Sequence, residues 1–385
     1  MDKKKVLFVV EKIYGGGVEN IARTILKNWD YEKYDVTLCT FCQQDVSSLT
    51  SYLPIKYKYI LHEFCESDNI LRRLAIKLLN KTKLLVYYHF PSKIFTAVFF
   101  NWNYDVAIAF IEGYATRVVA GMSRIKKRIA WLHTDFSGNH WTKVAYRNLN
   151  EEKQCYSAFD KVVCVSQKVA FSAGRILDLK KEPMVLYNPI DVEQVRNLAQ
   201  ESIDIANQNQ KDILKIVTLG NLIEVKGYKR LLSAFSKLLK SGVEAELYIL
   251  GHGPLYGDLS QCAESLGLSG KVHFEGFVEN PYPYLKMADI YVCSSFAEGF
   301  NTAITEALIL GRPVVATACS GVDEQLGKNN DYGIMVENTE EGLFRGIISM
   351  TDPDVRYHYS RKAIESSCRF NLRDNTDRIY SVIEE

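Results

Sequence analysis

The chain has 385 residues, 47% of them apolar, and carries 47 Lys plus Arg against 46 Asp plus Glu, a net charge of +1. That length is more than one ordinary hydrophobic core accommodates and calls for two domains of conventional size, with a composition like that of an average soluble protein. No stretch approaches the roughly 18 continuous apolar residues of a spanning helix, and no run of charge marks a nucleic-acid partner.

The near-neutral total hides an asymmetry. Residues 1–190 hold 28 Lys plus Arg against 18 Asp plus Glu, and residues 191–385 hold 19 against 28, so the halves carry +10 and −9. An anionic surface is the natural partner for the first half. Nine scattered cysteines without framework spacing fit a reducing cytoplasm, with no disulfides expected.

In chain order, Val6–Val10 is a short apolar run that reads as a buried strand rather than a secretion signal. It leads to Gly15-Gly16-Gly17 and a helix through Ile21 to Leu26. The GGGVEN spacing is not G-x-G-x-x-G, and no acidic residue closes a second strand, so a nicotinamide site is not expected. The glycines either let N–H groups approach a phosphate or sugar, or simply make a tight turn. Cys39 and Cys42 form a lone CxxC without a second pair, a poor basis for metal or redox duty. Ile70, Leu71, Leu74, Leu78 and Leu85 recur at near-helical spacing with Arg72, Arg73, Lys77 and Lys81 largely between them. This is either a helix packed on its domain or an interfacial helix on anionic lipid. His133, in WLHTDFSG, ends a strand before a polar loop in which Asp135 and Ser137 read best as a turn.

Strand runs KVLFVV, DVTLCT, DVAIAF, RIAWLH and KVVCVS in the first half, and LKIVTLG, AELYILG, KVHFEG, DIYVCSS and PVVAT in the second, alternate with helices. This pattern predicts two doubly wound parallel-sheet domains enclosing a cleft, an α/β fold with sheets buried on both faces. The polar tail Asn207–Asp212 reads as a linker, which places the boundary near residues 190–212. In EGFNTAITEA, Asn301 or Thr302 caps a helix reaching Leu310, which sets Glu298 in the preceding loop and Glu306 one turn into the helix. Both lie beside the N–H groups of a helix start, a place for a polyhydroxylated anion. Asp352-Pro353-Asp354 is formally a D-x-D metal motif, but its setting reads as a helix cap.

Five ordered blocks over residues 214–340, GNLIEVKGYKRLLSAF, LYILGHGPL, VHFEGFVENPYPYL, ADIYVCSSFAEGFNTAITEAL and GRPVVATACSGVDEQLG, resemble the donor-binding domain of retaining family 4 glycosyltransferases. The first half matches more loosely, through GGGVEN and WLHTDFSG. The resemblance implies the GT-B architecture, two Rossmann-like domains facing a central cleft. An acceptor-binding domain would span 1–190 plus a returning helix at about 366–385, and a donor-binding domain 191–365. By the same resemblance, Glu306 accepts from the ribose hydroxyls and Glu298 lies against the transferred sugar. Lys226 meets the diphosphate together with N–H groups near Gly299, Phe300, Asn301 and Thr302. Gly16, Gly17, Gly220 and Asn221 line the nucleotide sugar, the backbone at Phe277 meets the base, and His133 lies near the sugar hydroxyls. The catalytic set is then His133, Lys226 and Glu298. Asn221 departs from the pattern, which usually has arginine there.

The implied activity is retaining, metal-independent and cofactor-free transfer of a hexosyl or N-acetylhexosaminyl group. The donor is a nucleotide sugar, with UDP first choice, and the acceptor a lipid-linked glycan in cell-surface polysaccharide synthesis. The resemblance also implies front-face substitution without an enzymic nucleophile; the interfacial reading of the basic helix would place that work at the cytoplasmic face of a membrane, held by Arg72, Arg73, Lys77 and Lys81. A nucleotide-sugar epimerase or hydrolase and a non-catalytic partner subunit are the alternatives.

Overall fold

A computed structural model describes residues 2–63, 69–100, 102–203, 213–370 and 372–385. The linker reading at Asn207–Asp212 falls outside the described residues. The chain forms two compact units, one of Met1–Tyr187 with Thr376–Glu385 and one of Asn188–Asn375. The second crossing therefore lies inside the last helix, Leu372–Glu384, rather than ahead of it.

The first unit is built on seven parallel strands: β1 (Lys4–Val10), β2 (Tyr34–Cys42), β3 (Lys56–Leu61), β4 (Val106–Ala109), β5 (Lys127–Leu132), β6 (Lys161–Cys164) and β7 (Met184–Val185). They lie in the order β3-β2-β1-β4-β5-β6-β7. The second has β8 (Leu214–Leu219), β9 (Ala245–Leu250), β10 (Val272–Gly276), β11 (Ile290–Cys293), β12 (Val314–Thr317) and β13 (Ile334–Val336) in the order β10-β9-β8-β11-β12-β13. Central strands such as β4, β9, β11 and β12 are buried at every residue, as largely apolar runs require when helices cover both faces. In each unit the strand order reverses once, between β1 and β4 and between β8 and β11, which opens a crevice at the carboxyl ends of those strands.

The end of the chain is tied to the first sheet by aromatic packing and charge. Tyr380 stacks on Tyr34 at 5.5 Å between ring centroids and meets Trp29 edge-on. Glu384 accepts from Lys4 Nζ at 2.5 Å and from Tyr34 Oη at 2.6 Å. Asp352 is a helix cap, its Oδ1 accepting from Asp354 N at 2.8 Å. In the CxxC, burial pushes the Cys39 thiol up to about 12, away from the thiolate that metal or redox work needs.

Candidate functional site

In the second unit, Gly220 follows β8 with a φ of +148°, a conformation that favours glycine, and a Cβ there would fit tightly, 3.0 Å from Tyr228 Oη and 3.3 Å from the Lys226 side chain. The short turn Glu224–Lys226 then returns Lys226 to the carboxyl end of the sheet. Its Nζ donates to Glu298 Oε1 at 2.6 Å. Ser295 Oγ and Asn301 Nδ2 donate to the same oxygen at 2.5 and 3.0 Å. Burial works against the charge on Lys226, but the Glu298 carboxylate outweighs it and holds the ammonium above its ordinary value. The structure thus brings Lys226, Glu298 and Asn301 together at the β8/β11 switch point.

Asn301 is the N-cap of the helix Thr302–Ile309, its Oδ1 accepting from Ala303 N at 3.0 Å and Ile304 N at 3.3 Å. One side chain therefore caps the helix and fixes the carboxylate of the loop before it. Glu306, a turn further on, accepts from Tyr282 Oη at 3.2 Å. Burial pushes its carboxyl up to about 7, against the lowering effect of that hydroxyl. The loop is braced from behind: Gln325 Nε2 donates to Asn301 O at 2.7 Å, Thr317 Oγ1 to Ser295 O at 2.6 Å, and a Cβ on Gly321, at φ +77°, would meet Gly299 O at 2.6 Å. Sequence reasoning missed Ser295, Tyr282, Gly321 and Gln325, although all four lie inside the blocks quoted above.

Asn221 is exposed beside Gly220. The nearby guanidinium of Arg230 is committed elsewhere, donating to Ser294 O and Asn338 O and lying 3.8 Å from the Phe296 ring centroid. Phe277 is 66% exposed and meets His252 edge-on, so its side chain is not core packing.

In the first unit, Gly16 is the extended residue before the helix Gly17–Lys27, and a Cβ there would collide with the Glu19 carboxylate. His133 follows β5 and is buried; its backbone N–H donates to Glu112 Oε2 at 2.8 Å. Its Nε2 lies 2.9 Å from Phe110 O, and since a carbonyl only accepts, that nitrogen carries the proton. Burial pushes the imidazole pKa down, favouring a neutral ring whose Nδ1 has no hydrogen-bond partner among the described residues. Asp135 Oδ1 accepts from Ser137 N at 2.9 Å and Ser137 Oγ at 2.6 Å, so these two residues form a turn. Glu11 and Glu112, at the ends of β1 and β4, went unnoticed in the sequence. Burial, with Glu112 and Glu19 nearby, raises the Glu11 carboxyl to about 7, although the Tyr114 N–H works the other way.

The helix Ile70–His89 is capped by Asn69 and turns polar residues inward. Asn80 Nδ2 donates to His62 O at 2.8 Å, Lys83 Nζ to Ile60 O at 2.6 Å and Tyr87 Oη to Ala145 O at 3.0 Å. Its apolar side chains Ile70, Leu71, Leu74, Leu78 and Leu85 are exposed, as are Arg72, Arg73, Lys77 and Lys81. Among the described residues no helix is long and apolar enough to cross a membrane, and no three His, Cys, Asp or Glu side chains gather in a metal-holding group.

Two family models match the chain: Glycosyltransferase Family 4 over residues 15–194 and Glycosyl transferases group 1 over residues 214–352. The chain is 30% identical over 185 residues to the N-acetylgalactosamine-N,N'-diacetylbacillosaminyl-diphospho-undecaprenol 4-alpha-N-acetylgalactosaminyltransferase of Campylobacter jejuni, covering 48% of each protein. It is 30% identical over 194 residues to the lipopolysaccharide core biosynthesis glycosyltransferase LpsE of Rhizobium meliloti, covering 50% of this chain and 54% of that one. The chain thus spans about half the length of these curated relatives. Among solved structures, HepE of Anabaena in complex with UDP and glucose matches over 99% of both chains with a TM-score of 0.76 and 20% identity, a likeness of fold. Its two parallel-sheet units, the first matched by the family 4 model and the second by the group 1 model, make the chain a member of the GT-B glycosyltransferases.

Proposed function

We propose that the protein transfers a hexosyl or N-acetylhexosaminyl group from a UDP-sugar to a hydroxyl of a lipid-linked glycan, with retention of anomeric configuration. The observation that carries this reading is the cluster of Lys226, Glu298 and Asn301 at the start of a helix, with Glu306 one turn on. Lys226 and the helix N-terminus stabilise the charge that develops on the departing diphosphate. Glu298 accepts from hydroxyls of the transferred sugar and Glu306 from the ribose, since ionised carboxylates are acceptor-only groups able to hold vicinal hydroxyls. The backbone at Gly220, Asn221, Gly299, Phe300 and Thr302 lines the diphosphate, that at Phe277 meets the base, and His133 with Gly16 and Gly17 serves the sugar end. The diphosphate oxygen itself takes the acceptor proton, so the protein contributes orientation and electrostatics. The names of the curated relatives support a lipid-linked or lipopolysaccharide acceptor. The exposed helix carrying Arg72, Arg73, Lys77 and Lys81 supports delivery at an anionic membrane surface.

A thermal-shift screen over nucleotide sugars tests the donor reading, because a ligand bound only by the native state raises its stability. A UDP-sugar is expected to raise the midpoint most. Loss of the sugar to water in the absence of an acceptor would instead make the protein a hydrolase.

Two further results are expected from this site. Glu306 binds ribose as a carboxylate, yet burial holds its carboxyl near 7, so binding and proton release are coupled. Affinity for UDP-glucose, whose diphosphate diester has no proton titrating in this range, is expected to rise about tenfold from pH 6 to pH 8. Calorimetry across that range measures it; a flat profile in the wild type, or one unchanged in Glu306→Gln, removes the ribose role. Turnover is expected to survive EDTA, because Lys226 and the helix start carry the leaving-group charge while Asp352 is engaged as a cap. Loss of activity restored by Mn²⁺ or Mg²⁺ would return the Asp352/Asp354 pair to the mechanism.

A further inference from the structure

We propose that Arg369 is a positioning residue for the donor loop: it holds the end of the short helix Val322–Leu326, and through the Gln325 side chain of that helix it fixes Asn301 and the aim of the Glu298 carboxylate. This goes beyond the transfer reading by adding a residue outside the ligand contacts, and it rests on that reading for what Glu298 meets.

The helix Val322–Leu326 has five residues, too few to be stable alone, and a glycine in the left-handed region bounds it on each side, Gly321 at φ +77° and Gly327 at φ +82°. The last carbonyls of a helix need partners from outside it. Arg369 donates to two of them, from Nη1 to Gln325 O at 3.2 Å and from Nη2 to Glu324 O. A cation also suits the negative end of a helix. The guanidinium is itself held in place, lying 4.8 Å from the Tyr332 ring centroid and 5.2 Å from that of Phe370, so its fork points in a fixed direction.

From this helix end the contacts lead into the donor site. Gln325 is fully buried, and its Nε2 donates to Asn301 O at 2.7 Å and to Thr305 Oγ1 at 2.8 Å. Asn301 in turn donates to Glu298 Oε1 at 3.0 Å and caps the helix Thr302–Ile309. A parallel contact reaches the same loop: Phe370, fully buried, meets Phe300 edge-on at 6.0 Å between ring centroids. Glu306 is fastened from another direction, by Tyr282. Loss of Arg369 is therefore felt where Glu298 meets the transferred sugar, and much less where the nucleotide is held.

The experiment compares Arg369→Gln and the conservative Arg369→Lys with the wild type by hydrogen exchange and by calorimetric titration of UDP, UDP-glucose, UDP-galactose and UDP-N-acetylglucosamine. In Arg369→Gln, exchange at the Ala303 and Ile304 amides, which bond the Asn301 cap, is expected to quicken at least about tenfold while the amides of β9 and β12 exchange as in the wild type. UDP affinity is expected to stay within about twofold, whereas the affinity of the tightest UDP-sugar relative to UDP falls about fivefold, as for the loss of one hydrogen bond. Arg369→Lys, which keeps a cation at the helix end, is expected to recover part of both effects. Unchanged exchange at those two amides, or UDP and UDP-sugar weakened in equal proportion, makes Arg369 a structural group only and overturns the inference. Should Arg369→Gln fail to fold, Gln325→Met cuts the same chain of contacts one step nearer the loop; it is expected to give both effects, and their absence overturns the inference equally. Failure of UDP and all three UDP-sugars to bind the wild type brings down the donor reading instead, while exchange at Ala303 and Ile304 still decides whether Arg369 positions the loop.

Discussion

Lys226→Ala is expected to weaken UDP binding roughly 10- to 150-fold, the equivalent of about 1.5–3 kcal/mol for a hydrogen bond to a charged group. The magnitude follows from what surrounds the ammonium. Asn221 brings no charge, and the Arg230 guanidinium is spent on carbonyls and the Phe296 ring, so Lys226 is the cation that the switch point offers to a diphosphate. The loop should survive its removal, because Glu298 keeps Ser295 and Asn301 as donors and the helix keeps its cap. Lys226→Arg retains charge but not the compact point geometry, and an intermediate loss is expected. Calorimetric titration of UDP into both variants, with thermal unfolding as the control on folding, measures the effect. Unchanged affinity in a folded Lys226→Ala protein would remove the diphosphate from this place.

The parts of the fold legible in the sequence are those in which burial dictates composition. The runs Val6–Val10 of β1, β4 and β11 could be read because strands covered on both faces carry unbroken apolar residues. β3 escaped because it is an edge strand, KYKYIL, whose lysines and tyrosines are half-exposed and mimic a polar loop. β7 and β13, of two and three residues, are too short to show a period. At the donor site, the choice between Asn301 and Thr302 as cap needed coordinates, since both residue types suit the position. The structure settles on Asn301, whose amide also reaches Glu298. Glu11 and Glu112 were hidden for a different reason. Each is a single acidic residue at a strand end, and only the parallel pairing of β1 with β4 makes them neighbours.

Replacing Arg72, Arg73, Lys77 and Lys81 together by glutamate is expected to release the protein from anionic vesicles, at a cost of about 4 kcal/mol at about 1 kcal/mol per basic residue, or roughly a thousandfold in partitioning. The geometry of the helix Ile70–His89 is the reason to expect this of the segment. An ordinary surface helix turns its leucines to the core and its polar residues to water. This one is inverted: Asn80, Lys83 and Tyr87 fasten it to the carbonyls of His62, Ile60 and Ala145, while Leu74 and Leu78 stand 57% and 67% exposed on the far side. At 100° per residue, Ile70, Leu74, Leu78, Leu85 and Tyr88 fall within about 80° of one another and away from the fastened face, with Lys81 among them, Lys77 at the edge of the stripe and Arg73 beyond it. A shallow groove of about 500 Å³ runs beside them, with Lys77, Lys81, Leu85 and Tyr88 in its lining. Apolar side chains seated among acyl chains, with cations at the phosphate level, satisfy both halves of that pattern. Because the contacts that fasten the helix are untouched, UDP affinity should not change. Co-sedimentation with vesicles containing phosphatidylserine at low salt measures the effect, with rising salt expected to weaken the wild type toward the variant. Equal sedimentation of the two proteins at low salt would show that the charge of this helix does not hold the protein to a membrane.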